Sequence, residues 1–504
     1  MIQNDTICAT ATAQGTGALG IIRVSGPESI SLVNRIFKGK DLTQVESHTV
    51  HYGFLTPNPS QKEREAINSE IVINQTPDFS NKENGTSDTE HQTSSNQYPS
   101  SIIHHPTPEI IDEVMVSVFK APKTFTAEDL VEISCHGSPY IQQQIIGLLI
   151  QNGARLAEPG EFTQRAFLNG RIDLSQAEAV ADLISAENKA SHKVALNQMR
   201  GGISSELKEL REELINFTAL IELELDFSEE DVEFANREEL EKLVAKIKTK
   251  VSGLISTFEY GNAIKNGVPV AIIGKPNAGK STLLNALLDE ERAIVSDIAG
   301  TTRDTIEETI TIDGITFRFI DTAGIRETDD VIEAIGVEKA KEKIRMAKIV
   351  LHLYEDDIDL LRELESDLQD KIVFSLLTKT DKNDWANDRF ENYLIEHYPQ
   401  MHHFGISVKT GFNLDKLKSE LVASIQSGMD ENAVIITNLR HKEALQNAFM
   451  ALENVSSGMK MGLTGDLLAF HLRESLKHIG SITGQIDVDK DILGTIFGKF
   501  CIGK

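Results

Sequence analysis

Tryptophan occurs once and cysteine three times in 504 residues, at Cys8, Cys135 and Cys501. Three scattered thiols exclude a disulfide framework and point to a reducing compartment. No apolar run reaches transmembrane length, and the opening MIQNDTICATATAQGTG lacks the basic region and apolar core of a secretory signal, so a cytoplasmic protein without a membrane anchor is expected. Basic charge is also short: 50 Lys and Arg stand against 77 Asp and Glu, a formal net charge of −27. That balance works against unaided binding to nucleic acid or an anionic membrane, so an RNA substrate would need a local basic patch or a partner protein.

The chain ends FGKFCIGK, with Cys501 fourth from the end, where a prenylated protein carries its lipid acceptor. The preceding residues hold no polybasic block, and Gly503 and Lys504 do not fit the prenylation pattern, so an unlipidated tail is expected.

The length exceeds a single hydrophobic core and predicts two to four domains. Residues 1–56 and 109–160 alternate short strand-like runs (GIIRVSG, EVMVSVF, DLVEISCHG) with Gly/Pro turns, the pattern of an α+β domain. The stretch 57–108 between them is rich in Ser, Asn, Thr, Gln and Pro, has little to bury, and reads as a surface insertion. After about Gly160 the pattern becomes helical: Leu207, Leu210, Leu214, Phe217, Ile221 and Leu225 recur at three- and four-residue spacing, as do apolar residues over 440–480. Residues 267–427 alternate strand and helix, with a hairpin turn at Asp313-Gly314. The expected fold is multidomain, α/β and α+β: an N-terminal α+β domain (1–165), a helical domain in two parts (166–266 and 428–504), and an inserted Ras-like P-loop domain (267–427).

GKPNAGKST at 274–282 fits G-x-x-x-x-G-K-[ST], follows a strand and opens a helix. Backbone N–H groups about Gly279 and Lys280 would cradle phosphates, Lys280 would neutralise them, and Ser281 would ligate Mg²⁺. GTTRD (300–304) offers Thr302 to Mg²⁺ and the γ-phosphate; DTAG (321–324) places Asp321 behind the metal and Gly324 near the γ-phosphate. TKTD (378–381) places Asp381 to accept from two guanine N–H groups, which adenine cannot satisfy, so GTP is expected. Thr378 stands where such motifs usually carry Asn, and SVK (407–409) carries Val408 where alanine is usual. GTGALG (15–20) fits a dinucleotide fingerprint but is followed by a strand-like run, so a turn is expected. Cys135 and His136 are adjacent on a strand, point to opposite faces and do not form a nucleophile–base pair. The acidic run Asp226, Glu229, Glu230, Asp231 and Glu233 reads as a solvated helix end.

DTICATAT with GIIRVSG, FTAEDLVEISCHG, PGEFTQRAFLNGRIDLSQAEAVADLI, GKPNAGKSTLLNAL, IVSDIAGTTRD, DTAGIRE and the terminal FCIGK together resemble the tRNA modification GTPases of the MnmE (TrmE) family along nearly the whole chain. The resemblance implies that the N-terminal domain binds a tetrahydrofolate one-carbon derivative (5-formyl or methylene) and dimerises. Arg23, Glu132, Arg171 and Lys504 would contact the folate, with Cys501 near the reacting region; position 171 is often Lys in the family.

The resemblance also implies a GTP site of Asn277, Ala278, Gly279, Lys280, Ser281, Thr282, Ser296, Asp297, Ile298, Ala299, Gly300, Thr301, Thr302, Asp321, Thr322, Ala323, Gly324, Thr378, Lys379, Asp381, Ser407 and Lys409. Mg²⁺ would sit on Ser281 and Thr302. K⁺ would sit on Asn277 beneath the loop of Ser296, Ile298 and Thr301, in the role of an arginine finger. Glu333, with Glu327 as the alternative, would orient the attacking water, and Asn277 and Lys280 would complete the catalytic set. The implied activity is K⁺-dependent GTP hydrolysis coupled to adding an aminomethyl-type group (carboxymethylaminomethyl or related) at C5 of the wobble uridine U34 of certain tRNAs. The implied assembly is a homodimer within a heterotetramer with an MnmG (GidA) type FAD protein. A switch GTPase of ribosome assembly or signalling, or a folate methyltransferase with a regulatory G domain, are the competing readings.

Overall fold

In the segment DEVMVSVF, residues 112, 114, 116 and 118 are buried and residues 113 and 115 exposed, the period-two signature of a strand with one face on a core. The computed structural model describes residues 5–13, 15–57, 110–226, 237–289, 308–320, 333–355, 358–382, 391–426, 434–485 and 503, without the side chains of 224–226, 289, 333–337, 339, 391 and 392. The chain divides into two compact units, Met1–Asp173 with Asp489–Lys504, and Leu174–Val488.

The first unit holds β1 (Ile7–Thr10), β2 (Leu19–Ser25), α1 (Ser29–Ile36), β3 (Phe37–Lys38), β4 (Thr49–Leu55), β5 (Asp112–Phe119), β6 (Leu130–His136), α2 (Pro139–Gln151), β7 (Arg155–Leu156) and α3 (Glu161–Leu168). Its strands form one seven-stranded sheet in the order β3-β4-β5-β6-β2-β1-β7, antiparallel except for β1 with β7. Ile22, Val24, Val116, Val131 and Ile133 pack into a core with Leu32, Val33 and Ile36 of α1 and Ile145 and Leu149 of α2. Each fully buried residue of this kind contributes about 1.5–3 kcal/mol, so the core, rather than strand propensity, holds the sheet in register. GTGALG lies before and within the start of β2 and opens no helix, as its context requires.

The second unit begins with α4 (Leu174–Ile184), α5 (Lys189–Met199), α6 (Gly202–Asp226), α7 (Arg237–Ser256) and α8 (Phe258–Asn266). A parallel-sheet segment follows: β8 (Val268–Gly274), α9 (Lys280–Asp289), β9 (Glu308–Ile312), β10 (Ile315–Phe319), α10 (Glu333–Met346), β11 (Ile349–Tyr354), α11 (Asp359–Glu363), β12 (Ile372–Leu377), α12 (Glu391–His397), β13 (His402–Gly405) and α13 (Leu414–Gln426). Two helices close the unit, α14 (Leu439–Met461) and α15 (Gly465–Thr483).

The sheet runs β13-β12-β11-β8-β10-β9, with only the β9–β10 hairpin antiparallel. Its turn is Asp313-Gly314, as the sequence predicts. Leu207, Leu210, Leu214 and Ile221 of α6 are buried against α7, α14 and α15, with Phe217 partly buried beside them; the side chain of Leu225 lies outside the description. This is the bundle packing that the three- and four-residue spacing predicts.

Among the described residues no helix is long and apolar enough to cross a membrane. Residues 58–109, including nearly all of the polar insertion, lie outside the described residues.

Candidate functional site

β8 is a seven-residue apolar strand that runs into the turn 275–279 and then into α9 at Lys280. Gly279 adopts φ +93°, and a Cβ there would meet nothing within 4 Å. Its glycine is therefore required by backbone conformation and leaves an open approach beside the helix N-terminus, where orphan N–H groups favour an anion. The Lys280 ammonium donates to the carbonyls of Gly274 and Lys275, both at 2.9 Å, and so spans the loop. Asn277 is exposed on this loop, Ser281 and Thr282 are exposed in the first turn of α9, and Ala278 is buried beneath the loop.

The guanine-motif residues come together at the carboxyl ends of β12 and β13, the edge of a parallel sheet where ligands bind. Ser407 Oγ donates to Asp381 Oδ1 at 2.9 Å, and Lys409 Nζ lies 3.8 Å from Oδ2. The Ser407 hydrogen bond holds the Asp381 carboxyl below its usual range, so it is a committed acceptor. Thr378 is buried, and its hydroxyl and its backbone N–H both donate to the Tyr354 carbonyl. Lys379 Nζ donates to the Asn277 carbonyl at 2.8 Å, bringing the two loops together, and pairs with Glu355.

Ser296, Asp297, Ile298, Ala299, Gly300, Thr301, Thr302, Asp321, Thr322, Ala323, Gly324 and Glu327 lie outside the described residues. Glu333 opens α10, and only its backbone is described.

In the first unit, Arg23 of β2 and Glu132 of β6 are direct cross-strand partners. Arg23 Nε and Nη2 donate to the same Glu132 oxygen at 3.0 and 2.7 Å. The guanidinium carbon lies 5.3 Å from the Phe125 ring centroid and 5.7 Å from that of Phe162, within cation–π range. Arg23 Nη1 also donates to the Gly503 carbonyl at 3.3 Å. A Cβ on Gly503 would sit 2.1 Å from the Thr10 carbonyl oxygen, so only glycine fits where the tail meets β1. Lys504 and Cys501 lie outside the described residues. Arg171 is exposed; its backbone N–H donates to Ala166 O, and its side chain makes no hydrogen bond or ion pair among the described residues.

Cys135 faces the core and His136 faces outward, so they form no catalytic pair. Burial pushes the Cys135 and Cys8 thiols up to about 11, which suppresses the thiolate. His136 pairs instead with Asp112 at 2.7 Å. Among the described residues no group of three or more His, Cys, Asp and Glu is placed to hold a metal ion; the acidic run beyond Asp226 lies outside them. Phe125 and Phe162 lie within the quoted segments but are not singled out there, and Glu355 lies in none of them; their contacts with Arg23 and Lys379 emerge only in the fold.

The family profile for the MnmE helical domain matches residues 174–501, and that for the GTP-binding protein TrmE N-terminus matches 6–84 and 74–171. The tRNA modification GTPase MnmE of Christiangramia forsetii is 47% identical over 523 residues, covering 99% of each chain. That of Cytophaga hutchinsonii is 48% identical over 507 residues, covering 99% of this chain and 98% of the relative. The solved G domain of the T. maritima FeoB iron transporter is 26% identical, covering 31% of this chain and 96% of that one, with a TM-score of 0.23 that carries no argument. With sequence identity of this degree running from end to end, the chain belongs to the MnmE (TrmE) family of tRNA modification GTPases.

Proposed function

We propose that this GTP hydrolase acts with an MnmG-type FAD protein to add an aminomethyl-type group at C5 of the wobble uridine, U34, of certain tRNAs. The observation that carries the reading is the coexistence in one chain of a phosphate-loop site and the Arg23–Glu132 site on which the tail residue Gly503 rests. A switch GTPase has use for the first and none for the second.

The phosphate loop fits GTP and a divalent cation. The α9 N-terminus and Lys280 offer N–H and ammonium donors to phosphate oxygens, and Ser281 in the first helical turn offers a hydroxyl to Mg²⁺. Lys280 already holds two carbonyl oxygens, so it exchanges one set of acceptors for another when phosphate enters. Asn277, exposed on the loop, offers a side-chain oxygen to K⁺, with Ser296, Ile298 and Thr301 as the further ligands and Thr302 on Mg²⁺. A cation at that point stabilises charge developing on the transferred phosphoryl group. Glu333 orients the attacking water.

The Arg23 site fits a reduced folate. The guanidinium is flanked by two aromatic rings, and no described residue donates to the second oxygen of Glu132, which is available to a ligand N–H. A tetrahydrofolate derivative bound there would supply the one-carbon unit, and Arg23, Glu132, Arg171 and Lys504 would hold and orient it. The chain is proposed to act in the cytoplasm as a homodimer through its first domain. Partnership with a second protein also answers the charge problem, since a net −27 disfavours unaided tRNA binding.

The test is mass spectrometry of U34 in a strain lacking its own family member and complemented with this chain. Restored modification with wild type, and loss with Lys280→Ala and with Arg23→Ala, is expected. Failure of the wild-type chain to restore U34 modification would leave only a switch function.

A further inference from the structure

Glu355 follows the last residue of β11 and stands on the nucleotide edge of the sheet. A carboxylate there opposes the polyanion that the neighbouring loop binds. Its partner explains its presence: Glu355 pairs with the ammonium of Lys379, the second residue of TKTD, and both side chains are about one-third exposed. Lys379 has φ +58° and Asn277 has φ +64°, so both loops are bent where they meet. The same ammonium donates to the Asn277 carbonyl.

Two further observations raise the weight on this contact. Thr378 directs its single hydroxyl donor to the Tyr354 carbonyl, leaving Lys379 to join the guanine loop to the phosphate loop. A cavity of about 180 Å³, bordered by Lys275, Pro276, Ala278, Tyr354 and Glu355, also lies behind the phosphate loop. Ala278 anchors the loop in the core, and on the cavity side the polar contacts help to fix it in place.

We propose that Glu355 is a positioning residue: by holding the Lys379 ammonium against the Asn277 carbonyl, it clamps the guanine loop to the phosphate loop and sets the residence time of the guanine nucleotide. The proposal rests on reading 274–282 and 378–381 as the nucleotide site. Without Glu355 the Lys379 side chain regains its rotamers, and the Asn277 carbonyl loses its steady partner. Bound nucleotide then leaves faster, while no side chain assigned to hydrolysis is removed.

The experiment is stopped-flow release of a fluorescent N-methylanthraniloyl-GDP from the full chain carrying Glu355→Ala, Glu355→Gln, Lys379→Ala, or Glu355→Ala with Lys379→Ala. Release is expected to quicken about two- to fivefold in Glu355→Ala and less in the isosteric Glu355→Gln, with the double variant no faster than Lys379→Ala alone. The KM for GTP should rise with the release rate, and kcat should move far less. Unchanged release in both Glu355 variants, or additive effects in the double variant, would overturn the clamp. A parallel Asp381→Asn arm separates the two readings: retained guanine preference there removes the nucleotide-site assignment and the clamp with it.

Discussion

Arg23 and Glu132 face each other across the antiparallel pair β2–β6, and both guanidinium donors fall on one carboxylate oxygen. The pair is one-fifth to one-quarter exposed, so it is neither a solvated surface bridge nor a sealed core pair. Its geometry leaves the other Glu132 oxygen as an oriented acceptor at the edge of an aromatic-lined site. Glu132→Gln keeps the shape and removes the charge, and Arg23→Ala removes the cation between Phe125 and Phe162. Each is expected to weaken binding of 5-formyltetrahydrofolate by about ten- to a hundredfold, the worth of a hydrogen bond to a charged group. Isothermal titration of the three proteins measures this, and equal affinities would show that the pair serves only the sheet.

Base choice is proposed to rest on Asp381, whose carboxylate accepts from Ser407. Asp381→Asn replaces an acceptor by an amide that presents a donor. GTP affinity is expected to fall by about a hundredfold or more, and xanthosine triphosphate should become the preferred substrate, since an unmatched polar edge is costly. Competition between the two nucleotides for the variant is the measurement; persistent guanine preference would place the base elsewhere.

Much of this site is legible before any coordinates. The apolar run VPVAIIG, a glycine-rich turn and a helix with Lys280 at its start make strand, loop and phosphate site readable together, since each needs only local sequence. Arg23 and Glu132 become legible only through family resemblance, because nothing local links residues 109 positions apart. Glu355 and its partner Lys379 are 24 positions apart, and the register of β11 against β12, Tyr354 opposite Leu377, brings them together. The trio of buried Glu178 and His441 with partly buried Arg440 is equally silent in sequence: α4 and α14 meet across 262 residues.

That trio carries an acid-stability prediction. Arg440 donates to both Glu178 oxygens at 2.9 Å and to the carbonyls of Ser481 and Ile482 at the end of α15, while His441 lies 2.6 Å from Glu178. Burial pushes the Glu178 carboxyl up, but His441 and then Arg440 outweigh it and hold it at about 2, against an ordinary 4.5. A depressed carboxyl contributes stability that is present above the unfolded value and is lost as pH falls through the folded one. The contribution of Glu178 should therefore be complete above about pH 4.5 and fade toward about pH 2. Glu178→Gln removes the charged partner of a partly buried guanidinium that keeps its two carbonyl acceptors, and should cost about 1.5–3 kcal/mol near neutrality. Denaturant unfolding of both proteins from pH 7 to pH 3 tests the sign: the gap between them must narrow on acidification, and a constant gap would exclude Glu178 as the titrating group.

The proposed cation dependence of hydrolysis would follow from Asn277. This residue is exposed on the phosphate loop, with its backbone held at φ +64° by the turn and its carbonyl engaged by Lys379. The turn fixes the backbone that carries this side chain before the ion arrives. K⁺ placed there would stabilise charge in the transition state, a contribution comparable in kind to an oxyanion-hole donor and worth about 10²–10³ in rate. GTP turnover at equal ionic strength is expected to be at least about tenfold faster in KCl than in NaCl, allowing for partial occupancy by the smaller ion. Asn277→Ala should abolish the difference, mainly by lowering kcat in KCl. Glu355→Ala should act in the opposite domain of the kinetics, raising KM while leaving the KCl-to-NaCl ratio in place, because it loosens the nucleotide without removing the ion's ligand. Equal rates in the two salts for wild type, or a full K⁺ response in Asn277→Ala, would remove Asn277 from the catalytic set and leave Lys280 as the cation that the loop supplies.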